Sequence, residues 1–259
     1  MIYGLYFALL DAAMVVGMLL MVAAGRRIGA RDLARDAEGP QSAFSALEAA
    51  VLALLGLVLA FTISGAAGRF DTRRTQIVDE ANAIGTAYLR LDVLPAAAQP
   101  ALREAFRRYL DTRLAAFRRI PDIAAVKQEL AAGDALQEKI WTQALAAIRT
   151  RDAPHYAAVI LVPALNAMFD IATTRTMTAQ IHMPLAVFAL LFVLALTGAL
   201  LSGYGMAAGK SGSWLHIICF VVVVAATIAV IIDIEFPRLG WVRLDAFDQA
   251  LTDLRGKMQ

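Results

Sequence analysis

Four runs of apolar residues, each long enough to cross a bilayer, constrain this chain more than any other feature. A hydrocarbon core ~30 Å thick needs about 20 apolar residues in a helix. Ile2–Ala24, Ala43–Ala67, Pro184–Tyr204 and Trp214–Ile232 all reach that length. Asp11 alone breaks the first run. No basic residue precedes that run, its apolar stretch is too long for a signal peptide, and Arg26-Arg27 stands where a small-residue cleavage site would lie, so it reads as a retained span. The composition agrees, with 59% hydrophobic and 18% charged residues, against roughly 45–50% and 25% in soluble domains. A formal charge of +2 gives no footprint for nucleic acid. The single cysteine, Cys219, excludes an internal disulfide framework and a Cys-rich metal site.

The stretch between the second and third spans has a different character. Leu102, Phe106, Tyr109, Leu110, Leu114 and Phe117 fall on one helical face, with Arg103, Arg107, Arg108 and Arg113 mostly outside it. Shorter helical patterns follow at Ile123–Leu130 and Leu136–Ile148, and a last one, Tyr156–Gln180, contains Pro163. No stretch alternates with period two long enough for a sheet. The expected fold is an all-α membrane protein: four transmembrane helices in two hairpins, with an extramembrane helical bundle inserted between spans two and three. The expected divisions are a first hairpin at 1–68, the bundle at 69–180, a second hairpin at 181–233 and a C-terminal tail at 234–259.

The second span opens with Ser45-Ala-Leu-Glu48, which reads as a capping box. From Ala43 to Leu94 there is no proline, and a helix over that stretch would run ~78 Å at 1.5 Å per residue. Beyond the membrane, Phe70, Ile77, Ala81, Ile84, Tyr88 and Leu91 keep the three-four spacing of a packed seam, interrupted by Arg74. Within it, Gly56, Ala60, Ser64 and Gly68 recur every fourth residue, a pattern that lets helix backbones approach closely in lipid. At ~100° per residue the two stripes face nearly opposite ways. One helix therefore needs two different partners.

Chemistry-bearing residues are few. Asp11 is the only carboxylate deep within a span, a functional position by default because of its desolvation cost, unless it lies near enough to one surface to reach water. His155, His182 and His216 form no metal-binding spacing, and the last two stand at span entries. Gly203, Gly205 and Gly209 read as a short inter-span turn. There is no nucleophile elbow, phosphate loop or dinucleotide fingerprint, and no span carries a lysine. No catalytic, cofactor or metal site is expected.

Charge clusters instead at the membrane boundary. Asp79, Glu80, Asp170, Asp233 and Glu235 could meet Arg69, Arg73, Arg175, Arg238 and Arg243, either as a salt-bridge clamp or as an ion-binding or gating collar at a pore mouth. The candidate collar is Thr62, Ser64, Arg69, Arg73, Glu80, Asp233, Glu235 and Arg238. Were second spans to surround an axis, Thr62 and Ser64 would be its most polar wall positions, and Arg69 and Arg73 would form anion-attracting rings near its mouth.

Three boundary segments carry a resemblance: Phe61-Thr-Ile-Ser-Gly-Ala-Ala-Gly-Arg-Phe-Asp71, Glu80-Ala-Asn-Ala-Ile-Gly-Thr-Ala-Tyr-Leu-Arg90 and Asp233-Ile-Glu-Phe-Pro-Arg-Leu-Gly240. With Leu165–Arg175 and Leu244-Asp-Ala-Phe-Asp-Gln249, the chain resembles a bacterial family of membrane proteins called bestrophin-like. The resemblance implies a multi-pass protein of the bacterial inner membrane. True bestrophins, pentameric anion channels, share the plan of two spans, a helical region and two more spans. Their neck of prolines and aromatics has no counterpart here, where the second span offers Leu, Ala, Thr62 and Ser64.

Two functions compete. One is an oligomeric candidate ion channel, with anions as the candidate ion and the lipid bilayer, further copies of the chain and inorganic ions as partners. The other is a non-conducting membrane-anchored scaffold or sensor whose bundle binds a partner. An enzyme comes third, without a catalytic constellation. The basic residues Arg26, Arg27, Arg31 and Arg35 in a short first loop lean the N-terminus and the bundle to the outside.

Overall fold

The computed structural model describes residues 2–35, 41–208 and 214–258, and every described regular element is helical. The order is α1 (Ile2–Arg35), α2 (Gln41–Leu89), a 3-10 turn (Arg90–Val93), α3 (Gln99–Arg118), α4 (Ile123–Ile148), α5 (Ala157–Gln180), α6 (Leu185–Gly205), a short 3-10 turn (Met206–Ala208), α7 (Trp214–Glu235) and α8 (Asp245–Lys257). Two compact units result. The first joins Met1–Arg69 to His182–Trp241, and the second joins Phe70–Ile181 to Val242–Gln259.

The first unit holds the apolar helices, and the described chain has four long and apolar enough to cross a membrane. Its core gathers Met14, Met18 and Val22 of α1, Leu55 of α2, Leu194, Ala195 and Ala199 of α6, and Ile217, Val221 and Ile228 of α7. α1 and α6 run in intimate contact because glycine removes the side chain where they touch. A Cβ at Gly25 would sit 2.0 Å from the Leu200 carbonyl oxygen, and one at Gly203 would sit 2.2 Å from that of Val22. Gly203 and Gly205 are thus helical residues of α6 rather than part of a turn, and Gly209 lies outside the described residues. α1 also continues to Arg35, so Arg26, Arg27, Arg31 and Arg35 ride on a helix rather than in a loop. The capping box does not form. α2 is already helical at Gln41, which places Ser45 inside the helix, and Glu48 accepts a 2.8 Å hydrogen bond from Ser202 Oγ of α6.

The second unit is a bundle of the C-terminal part of α2 with α3, α4, α5 and α8. The expected seam packs with its last residue beyond α2: Ile77, Ala81, Ile84 and Tyr88 of α2 and Leu91 of the 3-10 turn are buried, and Phe70 is partly buried, with Leu102, Phe106, Tyr109 and Leu110 of α3, Leu161, Leu165 and Met168 of α5, and Leu251 of α8. Burying such a side chain contributes roughly 1.5–3 kcal/mol. The two shorter patterns expected at Ile123–Leu130 and Leu136–Ile148 merge into one helix, α4. Its N-terminus is capped by Asp122, whose Oδ1 accepts from Ala125 N at 3.0 Å. Gly133 lets α4 continue against α3, since a Cβ there would lie 3.2 Å from Thr112 Oγ1. The C-terminal stretch divides between the units: residues through Trp241 fold with the spans, while α8 joins the bundle.

Candidate functional site

Each unit is organised around one fully buried glutamate. In the first, Glu235 is the last residue of α7 and has no exposed surface. Arg69 of α2 grips it from the side: Nε lies 3.1 and 3.0 Å from the two carboxylate oxygens, and Nη2 donates to Oε2 at 2.7 Å. Met183 N, in the link that leads into α6, donates to Oε1 at 2.9 Å. His182 Nδ1 stands 3.5 Å from the same oxygen, its ring stacked on Phe236 at 4.7 Å. A forked guanidinium and a backbone N–H supply charge-assisted bonds to both oxygens, the condition under which a buried carboxylate is tolerated. The arrangement ties α2, α7 and the entry of α6 at one point.

Asp233 does not join that pair. It accepts from Trp241 N at 2.7 Å and so folds the chain back after α7. Arg238 is half-buried in the same returning segment.

The second unit's Glu80 is likewise fully buried. Arg113 Nε of α3 donates to Oε1, and Arg175 Nη1 of α5 donates to Oε2. Arg175 Nη2 continues to Asp248 Oδ1 of α8 at 3.1 Å, while Arg113 Nη2 donates to the Ala172 carbonyl at 3.2 Å. Phe117 closes the group, with its ring centroid 3.7 Å from the Arg175 guanidinium. Burial pushes the Arg175 guanidinium below its ordinary value, and the Glu80 carboxylate pulls it back up. Two cations face two carboxylates, so the cluster balances its own charge. Nearby, burial drives the Tyr109 hydroxyl up to about 12. Arg73 is also buried, and its Nη2 donates to the Ile181 carbonyl at 2.6 Å.

The expected pore-wall pair separates. Thr62 is only 5% exposed, and its Oγ1 donates to the Val58 carbonyl at 2.6 Å. Ser64, two residues on and ~200° around the helix, is exposed. Thr62 therefore faces its own protomer, because its hydroxyl can return to the helix backbone while its methyl packs. The Arg69 and Arg73 guanidinia are both held by groups of the same chain, Glu235 and the Ile181 carbonyl. Gly56, Ala60, Ser64 and Gly68 are all exposed, and a Cβ at Gly56 or Gly68 would meet nothing within 4 Å. The small-residue stripe lies on an exposed side of α2. Asp11 is half-buried on α1, while Asp79 and Asp170 are exposed. Among the described residues no three His, Cys, Asp or Glu side chains gather as a metal site.

A model of the bestrophin-like domain matches residues 12–245, nearly the whole chain. The chain belongs to the bestrophin-like family. Its fold is similar to crystal structures of two point variants of a bacterial bestrophin homologue from Klebsiella pneumoniae. One shares 14% identity at a TM-score of 0.67, over 94% of this chain and 99% of that one. The other shares 14% identity at 0.64, over 95% and 100%. A further structure, described as a membrane protein variant, shares 16% identity at 0.61 over 93% and 98%. No curated protein matches the sequence.

Arg113 and Asp248 are the two members of this bestrophin-like bundle's charge cluster that do not belong to the expected boundary collar. Arg113 sits three and four residues from Leu110 and Tyr109, on the apolar face of α3 rather than beside it. A cation on an apolar face, with Glu80 on the facing seam, was the available signal. Asp248 lies in a segment quoted for the family resemblance, but nothing in its spacing marks Arg175 as its partner.

Proposed function

We propose that this bestrophin-like protein assembles with copies of itself around an axis faced by the bare side of α2, and that ions pass along that axis. The observation that carries the reading is the length of that bare side. Gly56, Ala60, Ser64 and Gly68 are exposed in the span, and Asp71, Thr75, Asp79, Asn82 and Thr86 continue the same three-four spacing beyond it. The opposite side of α2, from Leu55 and Thr62 to Ile84, is buried. In lipid, small residues are where helices meet, because backbones that approach closely gain van der Waals contact.

Ion preference follows from which charges remain on that side. Arg69 is engaged by Glu235, and Arg73 is buried on Ile181. The continuing stripe presents hydroxyls, an amide and the carboxylates of Asp71 and Asp79, of which Asp71 shares its charge with Arg74. Repeated around an axis, Asp79 would make a ring that favours cations. This replaces the anion preference that Arg69 and Arg73 rings would have given. Purified protein in planar bilayers under a potassium chloride gradient should carry current, with a reversal potential displaced toward potassium. Asp79→Lys should move that potential toward chloride without changing the complex's mass.

The scaffold reading is supported by one feature: among the span positions of the stripe, only Ser64 is polar. An intact oligomer that carries no current over a wide range of voltage and pH would select the scaffold.

A further inference from the structure

After α7 the chain turns back on itself in a short, pinned segment. Phe236 N donates to the Ile232 carbonyl at 3.1 Å, and Leu239 N donates to the Phe236 carbonyl at 3.0 Å. Asp233 Oδ1 then accepts from Trp241 N at 2.7 Å. Gly240 makes that approach possible, since a Cβ there would fall 1.5 Å from the same oxygen. The outcome of this tight fold is an indole held 95% exposed. A large aromatic ring, fixed by its backbone and left bare, calls for a surrounding medium that suits it.

The position of the pin identifies that medium. Asp233 continues the three-four spacing of Leu215, Ile218, Val222, Ala226 and Val230 along α7, all of them exposed. All but Ala226 of the apolar members are bulky, branched side chains, unlike the small residues through which helices pack in lipid, so this face of α7 meets acyl chains. At its other end stands Trp214, 52% exposed. From Trp214 to Asp233 the helix rises ~28 Å at 1.5 Å per residue, close to a hydrocarbon thickness of ~30 Å. Two exposed tryptophans therefore stand one at each end of a lipid-facing stripe.

We propose that the 236–241 turn is a membrane-interface anchor, with the Trp241 indole seated between phospholipid headgroups and acyl chains in the leaflet opposite Trp214. An indole suits that layer because its ring is apolar while its N–H needs an acceptor, which glycerol ester and phosphate oxygens supply. The anchor fixes the depth of the α7 end, which keeps Glu235 and Arg69 near the headgroups. It does not depend on whether the protein conducts.

The test reads depth directly. Trp141→Phe with Trp214→Phe leaves Trp241 as the sole indole in the full-length chain. The protein is reconstituted in phosphatidylcholine vesicles whose acyl chains are brominated either near the headgroup or near the bilayer centre. Fluorescence should be quenched at least twofold more by the shallow bromines, and Gly240→Val in the same background should reduce that difference. Equal or absent quenching by both lipids would overturn the anchor and place the ring in water or against a neighbouring copy. Stronger quenching from the centre would also overturn it. An unchanged depth difference in Gly240→Val would overturn the role of the pin. If the double replacement does not fold, a nitroxide on Trp241→Cys in a Cys219→Ser background reads the same depth. More collision with a polar aqueous relaxant than with oxygen would overturn the proposal.

Discussion

Two sets of small residues in the spans look alike in sequence and behave differently. On α1 and α6, Gly25 and Gly203 are closed by the protomer itself, where any Cβ would collide with a backbone oxygen. On α2, a Cβ added at Gly56 or Gly68 would meet nothing within 4 Å. A glycine in a membrane helix thus marks close approach without saying whose backbone approaches. The first pair completes the fold; the second lies on a side of α2 that stays exposed.

The contrast sets the order of expected effects. Gly203→Leu should be the most damaging change, because the obstacle is the Val22 backbone rather than a mobile side chain. We expect loss of folded protein, read as absence of a monodisperse peak in size-exclusion chromatography. Glu80→Gln should come next, leaving the Arg113 and Arg175 guanidinia buried with half their compensation. A thermal or denaturant shift worth about 3–5 kcal/mol is expected. Glu235→Gln should cost less, about 1–3 kcal/mol, because Arg69 and His182 retain some access to water. Gly68→Leu should leave protomer stability within about 0.5 kcal/mol, yet reduce the mass of the detergent-solubilised complex. If Gly68→Leu unfolds the protomer as Gly203→Leu does, the distinction between the two glycine sets fails.

The apolar runs and the seam on α2 were legible because each rests on a periodicity that burial enforces along a single helix. The Arg69–Glu235 pair was legible as one of several combinations, since residues two spans apart reach the same side of a membrane whichever way the chain inserts. What escaped was pairing between elements. Spacing on one helix says that Gly203 and Gly56 are small, but not that α6 meets α1 at Gly203 while a Cβ at Gly56 would meet nothing within 4 Å. Nor does it reveal that Arg113, grouped with the outward arginines of α3, points inward to Glu80. Thr62 and Ser64 read as a polar pair until helical rotation places them on different sides.

The central claim is that the bare side of α2 faces the same side of neighbouring copies. Thiol crosslinking in membranes tests it most directly. In a Cys219→Ser background, Ser64→Cys and Thr62→Cys are each treated with a short bismaleimide before detergent extraction. The account predicts that Ser64→Cys yields covalent dimers while Thr62→Cys, turned into its own protomer, yields only monomer. Equal crosslinking at both positions, or none at Ser64→Cys in a complex shown to be oligomeric, would contradict it.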